Sequence, residues 1–309
     1  MMMKAKHLLL LIAVLGIVSC TKPMEQAEVG IRIGYIINGT PLITDTLCYH
    51  NEAGNTFMIT EIQWFLSQME LQDESGAWIS LEHREVDNSF SYATDKVFYI
   101  DTNIPETQRL DIAPIPIGKY KMMRFVFGLN EEDNRTGLFT DSPEADMFWP
   151  DPLGGGYHYM KLNGKFVNEE GQLTPLAIHL GIGQNDDCTE FYQNYFIVEL
   201  PIDFTITENA ENQIDLTMIV DNWFCNPNVI DFNEYGSGIM QNQTAQHLLK
   251  ENGENVFMIG KPTENQNDIA MEKENNLGER FRNLMQKASP KPHFWSWKSV
   301  KGRFQNFKI

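Results

Sequence analysis

IPIGKYKMMRFVFGLN, residues 115–130, reads as a β-strand. Gly118 marks the turn that leads into it. Met123, Phe125 and Phe127 then fall two apart, so one face of an extended chain is apolar. The same period-two signal recurs outward in both directions. Val29, Ile31, Ile33, Tyr35 and Ile37 alternate up to Asn38-Gly39, a strand entering a turn. Ile214, Leu216, Met218 and Val220 alternate in 213–221, and further strands are predicted at 96–101, 157–162, 176–180 and 194–203. MITEIQWFLSQMEL (58–71) fits two readings. Ile62, Phe65, Leu66 and Met69 trace a helix face, but its β-rich neighbours favour a bulged strand. Many short strands bounded by Gly, Pro and Asn predict an all-β, antiparallel β-sandwich. A few short helices join it near the C-terminus: one over 239–252 closed by Gly253, and an amphipathic one over 274–287 with Leu277, Phe281, Leu284 and Met285 on one face.

With 309 residues, 42% of them hydrophobic, the chain can bury a large core. Its formal net charge of −18 argues against nucleic acid as a partner, since a polyanion would be repelled. The ends differ from the body. Lys4, Lys6 and His7 precede the apolar run Leu8–Val18 and then Ser19-Cys20, the pattern of a secretory signal peptide that ends in a bacterial lipobox. Residues 1–19 are thus read as signal peptide, Cys20 as the lipidated first residue of the mature chain, and 20–28 as a tether. The β domain follows over 29–265. The expected location is the cell envelope, as a periplasm-facing or outer-membrane lipoprotein held by its acyl chains. Three further cysteines, Cys48, Cys188 and Cys225, allow three pairings between which the sequence does not choose. From Arg280 to Ile309 there are eight Lys or Arg and no Asp or Glu, interleaved with Phe294, Trp295, Trp297, Phe304 and Phe307. Residues 266–309 therefore form a separate helix and basic-aromatic tail.

No G-x-S-x-G, H-E-x-x-H or Walker motif is present, so the chain is read as a binding protein and not an enzyme. GLNEEDNRTG (128–137) is rich in oxygen ligands but lacks the spacing of a calcium loop. The distinctive stretch is FWPDPLGGGYHYMKLNG, residues 148–164. Gly154–Gly156 predicts a loop with positive φ or close packing, and Asn163-Gly164 a second turn. If 157–162 is a strand, His158 and Met160 share a face, while Tyr157 and Tyr159 point the other way. An imidazole beside a thioether suits a soft ion such as Cu(I). His179, in AIHLGIG, and Met147 are placed to join them. The candidate metal ligands are therefore His158, His179, Met160 and Met147, with copper as the ion. The alternative is a non-metal envelope module that binds a glycan or a protein through Tyr157, Tyr159, Trp149 and Trp78.

The blocks ITEIQWFLSQMEL, IPIGKYKMMRFVFGLN, MFWPDPLGGGYHYMKLNGKF, IHLGIG and VDNWFCNPNVIDFNEYGSGIMQNQTAQ, in this order, resemble the MbnP-like family of secreted or lipid-anchored β proteins. The likeness spans about residues 29–260. It implies a β-sandwich that binds copper through histidines and a tryptophan oxidised to kynurenine, with a role in copper acquisition or relay. It also implies a di-haem partner of the cytochrome c peroxidase type that installs the oxidation. Trp149 matches the family's central tryptophan by order, with Trp64 and Trp223 as rivals. Ring opening would free an aryl amine and a ketone, whereas intact indole offers an N–H donor and a π face. Unlike the copper-binding members, this chain has no His-x-His or Trp-x-His triplet.

Overall fold

A computed structural model describes residues 24–84, 95–185 and 189–260. Cys20, the signal peptide, Cys188 and the tail beyond 260 lie outside the described residues.

The strands, in chain order, are β1 (Gln26–Ile37), β2 (Thr40–Pro41), β3 (Tyr49–His50), β4 (Thr56–Asp73), β5 (Trp78–Ser80), β6 (Val97–Asp101), β7 (Arg109–Pro116), β8 (Gly118–Phe127), β9 (Met160–Val167), β10 (Leu173–Leu180), β11 (Gly183–Gln184), β12 (Phe191–Tyr192), β13 (Phe196–Ile206), β14 (Gln213–Ile219) and β15 (Phe257–Ile259). Two helices, α1 (Phe232–Tyr235) and α2 (Gln243–Gly253), follow β14. The larger sheet runs β10-β9-β4-β8-β13, with β3, β5 and β6 also paired to β4. The smaller runs β15-β14-β1-β2, with β7 on β1. The fold is the all-β sandwich that the alternation predicted. One pair departs from antiparallel: β1 and β14 run parallel, from Gly30 opposite Gln213 to Ile36 opposite Ile219. Period-two patterning reports which face is buried but not the direction of the neighbouring strand.

The ambiguous stretch 58–71 is a strand, and a bulged one. β4 is 18 residues long and slips register between Ile59 and Glu61 against β9, and between Ser67 and Glu70 against β8. Gln68 takes φ 51° at the second slip, as a bulge residue can. The bulges let one strand serve as the spine for five others without splitting. Met123, Phe125 and Phe127 on β8 all point into the core, as read. Trp64 of β4 stacks on Phe127 with ring centroids 5.5 Å apart, and its indole N–H donates to the Tyr35 hydroxyl of β1 at 3.1 Å. The two sheets are thereby joined by a hydrogen bond inside an otherwise apolar layer, which satisfies both polar groups.

Other boundaries moved. Gln26–Glu28, read as tether, already belong to β1. The helix expected over 239–252 is a 3₁₀ turn (Ile239–Gln241) followed by α2. Asn242 caps α2 by accepting from the Ala245 N–H, and Gly253 is the last helical residue. The strand expected at 157–162 begins only at Met160 and continues to Val167, straight through Asn163-Gly164. That pair is no turn. Gly164 sits between β4 and β10, and a Cβ there would press on the main-chain carbonyl of Met58. The glycine is required by the close approach of two strands.

Candidate metal centre

The site lies where β9 and β10 leave the larger sheet. Lys161 stands directly opposite His179, and Met160 opposite Leu180. Ile178 and Leu180 face the core, so His179 projects from the outer face with Lys161 and Asn163. His158 precedes the strand in a loop that folds over that face. A 3₁₀ turn (Asp151–Leu153) leads into Gly154, Gly155 and Gly156, all with positive φ (116°, 69° and 77°). The Gly run thus forms the loop of positive φ that was expected of it. Phe148 then bridges to Tyr157, and the Met147 carbonyl accepts from both the His158 N–H (2.6 Å) and its ring Nδ1 (2.9 Å).

Three rings meet as a result. The His158 and His179 centroids are 5.1 Å apart with planes at 82°, and Trp149 packs edge-on against His158 at 4.7 Å. Trp149 is fully buried. Its indole N–H donates to the Leu153 carbonyl at 3.1 Å, and its ring lies on Gly181, where a Cβ would come within 2.6 Å of Cε3. Gln246 of α2 pins the other side: its Nε2 donates to the His179 carbonyl (2.7 Å) and its Oε1 accepts from Gly181 N–H (3.1 Å).

The ring nitrogens differ in their partners. His158 Nδ1 is the donor to Met147, which leaves its lone pair on Nε2, and that buried atom has no hydrogen-bond partner. His179 Nε2 is 2.9 Å from Asn163 Oδ1. Burial holds the His158 pKa down to about 3, helped by the neighbouring His179 and by Lys161. Burial and then Lys161 hold His179 down to about 4. Both rings are therefore neutral at physiological pH, the state a metal requires. Burial also lowers the Lys161 pKa, and its ammonium donates to the Asp146 carbonyl.

The two histidines come together as read, although His158 does so from a loop and not from a strand. The methionines do not share their face. Met160 turns into the core between Trp64 and Leu180, because alternation on β9 sends it away from His179. Met147 is also a core side chain and meets His158 through its carbonyl. Of the aromatics offered for glycan stacking, Trp149, Tyr157 and Tyr159 are buried, and Trp78 lies under the Arg124 guanidinium at 3.9 Å. That surface does not exist as read. The rivals of Trp149 have phenylalanine partners: Trp64 meets Phe127 and Phe257, and Trp223 meets Phe127 and Phe196. Lys161, Asn163 and Glu61 went unnoticed in the sequence. Lys161 and Asn163 alternate on β9, but that they lie beside His179 on β10 and Glu61 on β4 follows only from the register.

These residues fit a soft ion of low coordination number. They offer nitrogen lone pairs on neutral rings, one of them buried and unpartnered, and no cluster of three or more His, Cys, Asp or Glu occurs among the described residues.

The MbnP family profile matches residues 26–242. Among solved structures, MbnP from Methylosinus trichosporium is similar, with a TM-score of 0.49 and 15% identity over 68% of this chain and 80% of that one. No curated protein matches the sequence. With the matched region covering most of its length, the chain belongs to the MbnP family.

Proposed function

We propose that the protein binds copper as Cu(I) through His158 and His179, at a site walled by Trp149, and serves copper acquisition or relay rather than catalysis. The observation that carries this reading is the meeting of three rings, one of which holds a buried imidazole nitrogen without a hydrogen-bond partner. A buried acceptor left unpaired is costly, and a ligand role accounts for it. Copper bound to neutral imidazoles displaces no proton, so uptake would persist in mildly acid surroundings. Lys161, opposite His179, places positive charge beside the site and disfavours a dication relative to a monovalent ion. Oxidation of Trp149 to kynurenine by a di-haem partner, as in family members, would add an aryl amine next to His158.

Purified protein titrated anaerobically is expected to take up about one Cu(I) per chain, as two neutral soft-ion donors imply, and His158→Ala with His179→Ala should abolish it. Equal uptake by wild type and double variant would refute the assignment. A mass increase on the Trp149 peptide after expression with the di-haem partner would support the oxidised form.

We further propose that Cys20, at the end of the lipobox, holds the domain on the cell envelope. Cys20→Ser is expected to move the protein from the membrane to the soluble fraction. Continued membrane retention would count against acylation.

A further inference from the structure

His179 is the less secured of the two rings. His158 is fixed by a main-chain carbonyl, whereas the hydrogen bond described at the His179 ring is to a side chain, that of Asn163. An amide can present either oxygen or nitrogen to an imidazole, so something must decide which. On the adjacent strand Glu61 pairs directly with Asn163. A carboxylate only accepts, so the Asn163 Nδ2 turns to Glu61 Oε2, at 3.4 Å, and its Oδ1 is left facing His179. Glu61 is held in turn: Asn103 Nδ2 donates to its other oxygen at 3.0 Å, and Asn103 N–H donates to the buried Asp101 carboxylate at 2.7 Å. The chain of donors and acceptors runs across four strands and the β6 loop, and the donors on both sides of Glu61 point toward its carboxylate.

We infer that Glu61 and Asn163 are positioning residues that lock His179 as the Nε2–H tautomer and so keep the Nδ1 lone pair free for the ion. This rests on the copper reading of the site. The arrangement mirrors that of His158, with the opposite nitrogen protonated: each ring spends one N–H on the protein and keeps one lone pair. Outer partners of this kind orient metal-binding imidazoles, and their removal typically costs about 10–100-fold in affinity.

The test uses the metal-free protein labelled with ¹⁵N-histidine, read by two-bond ¹H–¹⁵N correlation at neutral pH, alongside Cu(I) competition titrations. Wild-type His179 should show the Nε2–H pattern. Asn163→Leu and Glu61→Leu should shift it toward Nδ1–H or a mixture, and weaken Cu(I) binding about 10–100-fold. Glu61→Gln, which retains an acceptor oxygen, should preserve the wild-type pattern. A purely structural role would lower the melting temperature without moving the tautomer. An Nδ1–H pattern in wild type, or an unchanged pattern in both leucine variants, would overturn the inference. An Nε2–H pattern in a protein that takes up no Cu(I) would instead overturn the copper reading while leaving the tautomer lock standing.

Discussion

Below pH 6.5 the metal-free protein is expected to lose stability steeply, by about 2.7 kcal/mol per pH unit near pH 5 from His158 and His179 together. In the unfolded chain both rings titrate near their ordinary 6.5, while in the fold burial holds them at about 3 and about 4. Between those limits the unfolded state binds about two more protons than the native one, so stability rises with pH and is lost as pH falls. Half-buried His83 is lowered in the same direction and adds to the slope in wild type and variants alike. Urea midpoints at pH 5 and pH 7 isolate the pair. His158→Gln with His179→Gln should reduce the pH dependence by the two-proton amount, and His179→Gln alone by half of it. A slope identical to wild type in the double variant would mean that these rings are not buried as neutral imidazoles.

Gly164→Val is expected to destabilise the fold by about 3 kcal/mol or more, or to prevent soluble expression. The added Cβ would press on the Met58 carbonyl and come within 3.2 Å of the Ile59 Cα. Both are main-chain atoms of the spine strand, and neither can rotate away. Gly30→Ala provides the contrast: it also lies in a strand, but nothing stands within 4 Å of its Cβ position, and its effect should stay within about 0.5 kcal/mol. If the two variants melted together, the register of β9 on β4 would be wrong. Asn163, Glu61 and the outer face of the metal centre would be misplaced with it.

The residues behind these two expectations also mark how far the sequence could be read. Alternation in 118–127 and 213–219 announces strands and their buried faces, because side-chain direction in a strand follows from position alone. The same alternation is silent about partners. It could not reveal that β14 lies parallel to β1, nor that Glu61 lies beside Asn163 some hundred residues later. Asn163-Gly164 has the composition of a turn, and only the neighbouring Met58 carbonyl shows why a glycine stands in mid-strand. His158 and His179 were recognisable as chemistry-bearing residues, and the family blocks singled out Trp149 by order, but its contact with His158 shows only in the fold. The methionines were misread for a local reason. The chain at 157–159 is a loop pinned by Met147 and Phe148, so the period-two count that put His158 and Met160 on one face began too early.

The most direct test of the two-imidazole site is the copper K-edge absorption spectrum of the Cu(I)-loaded protein. The account predicts nitrogen scatterers with the outer-shell signature of two imidazoles, no sulfur, and no change in Met147→Leu or Met160→Leu. A sulfur shell, or a spectrum that survives loss of His158 and His179, would contradict it.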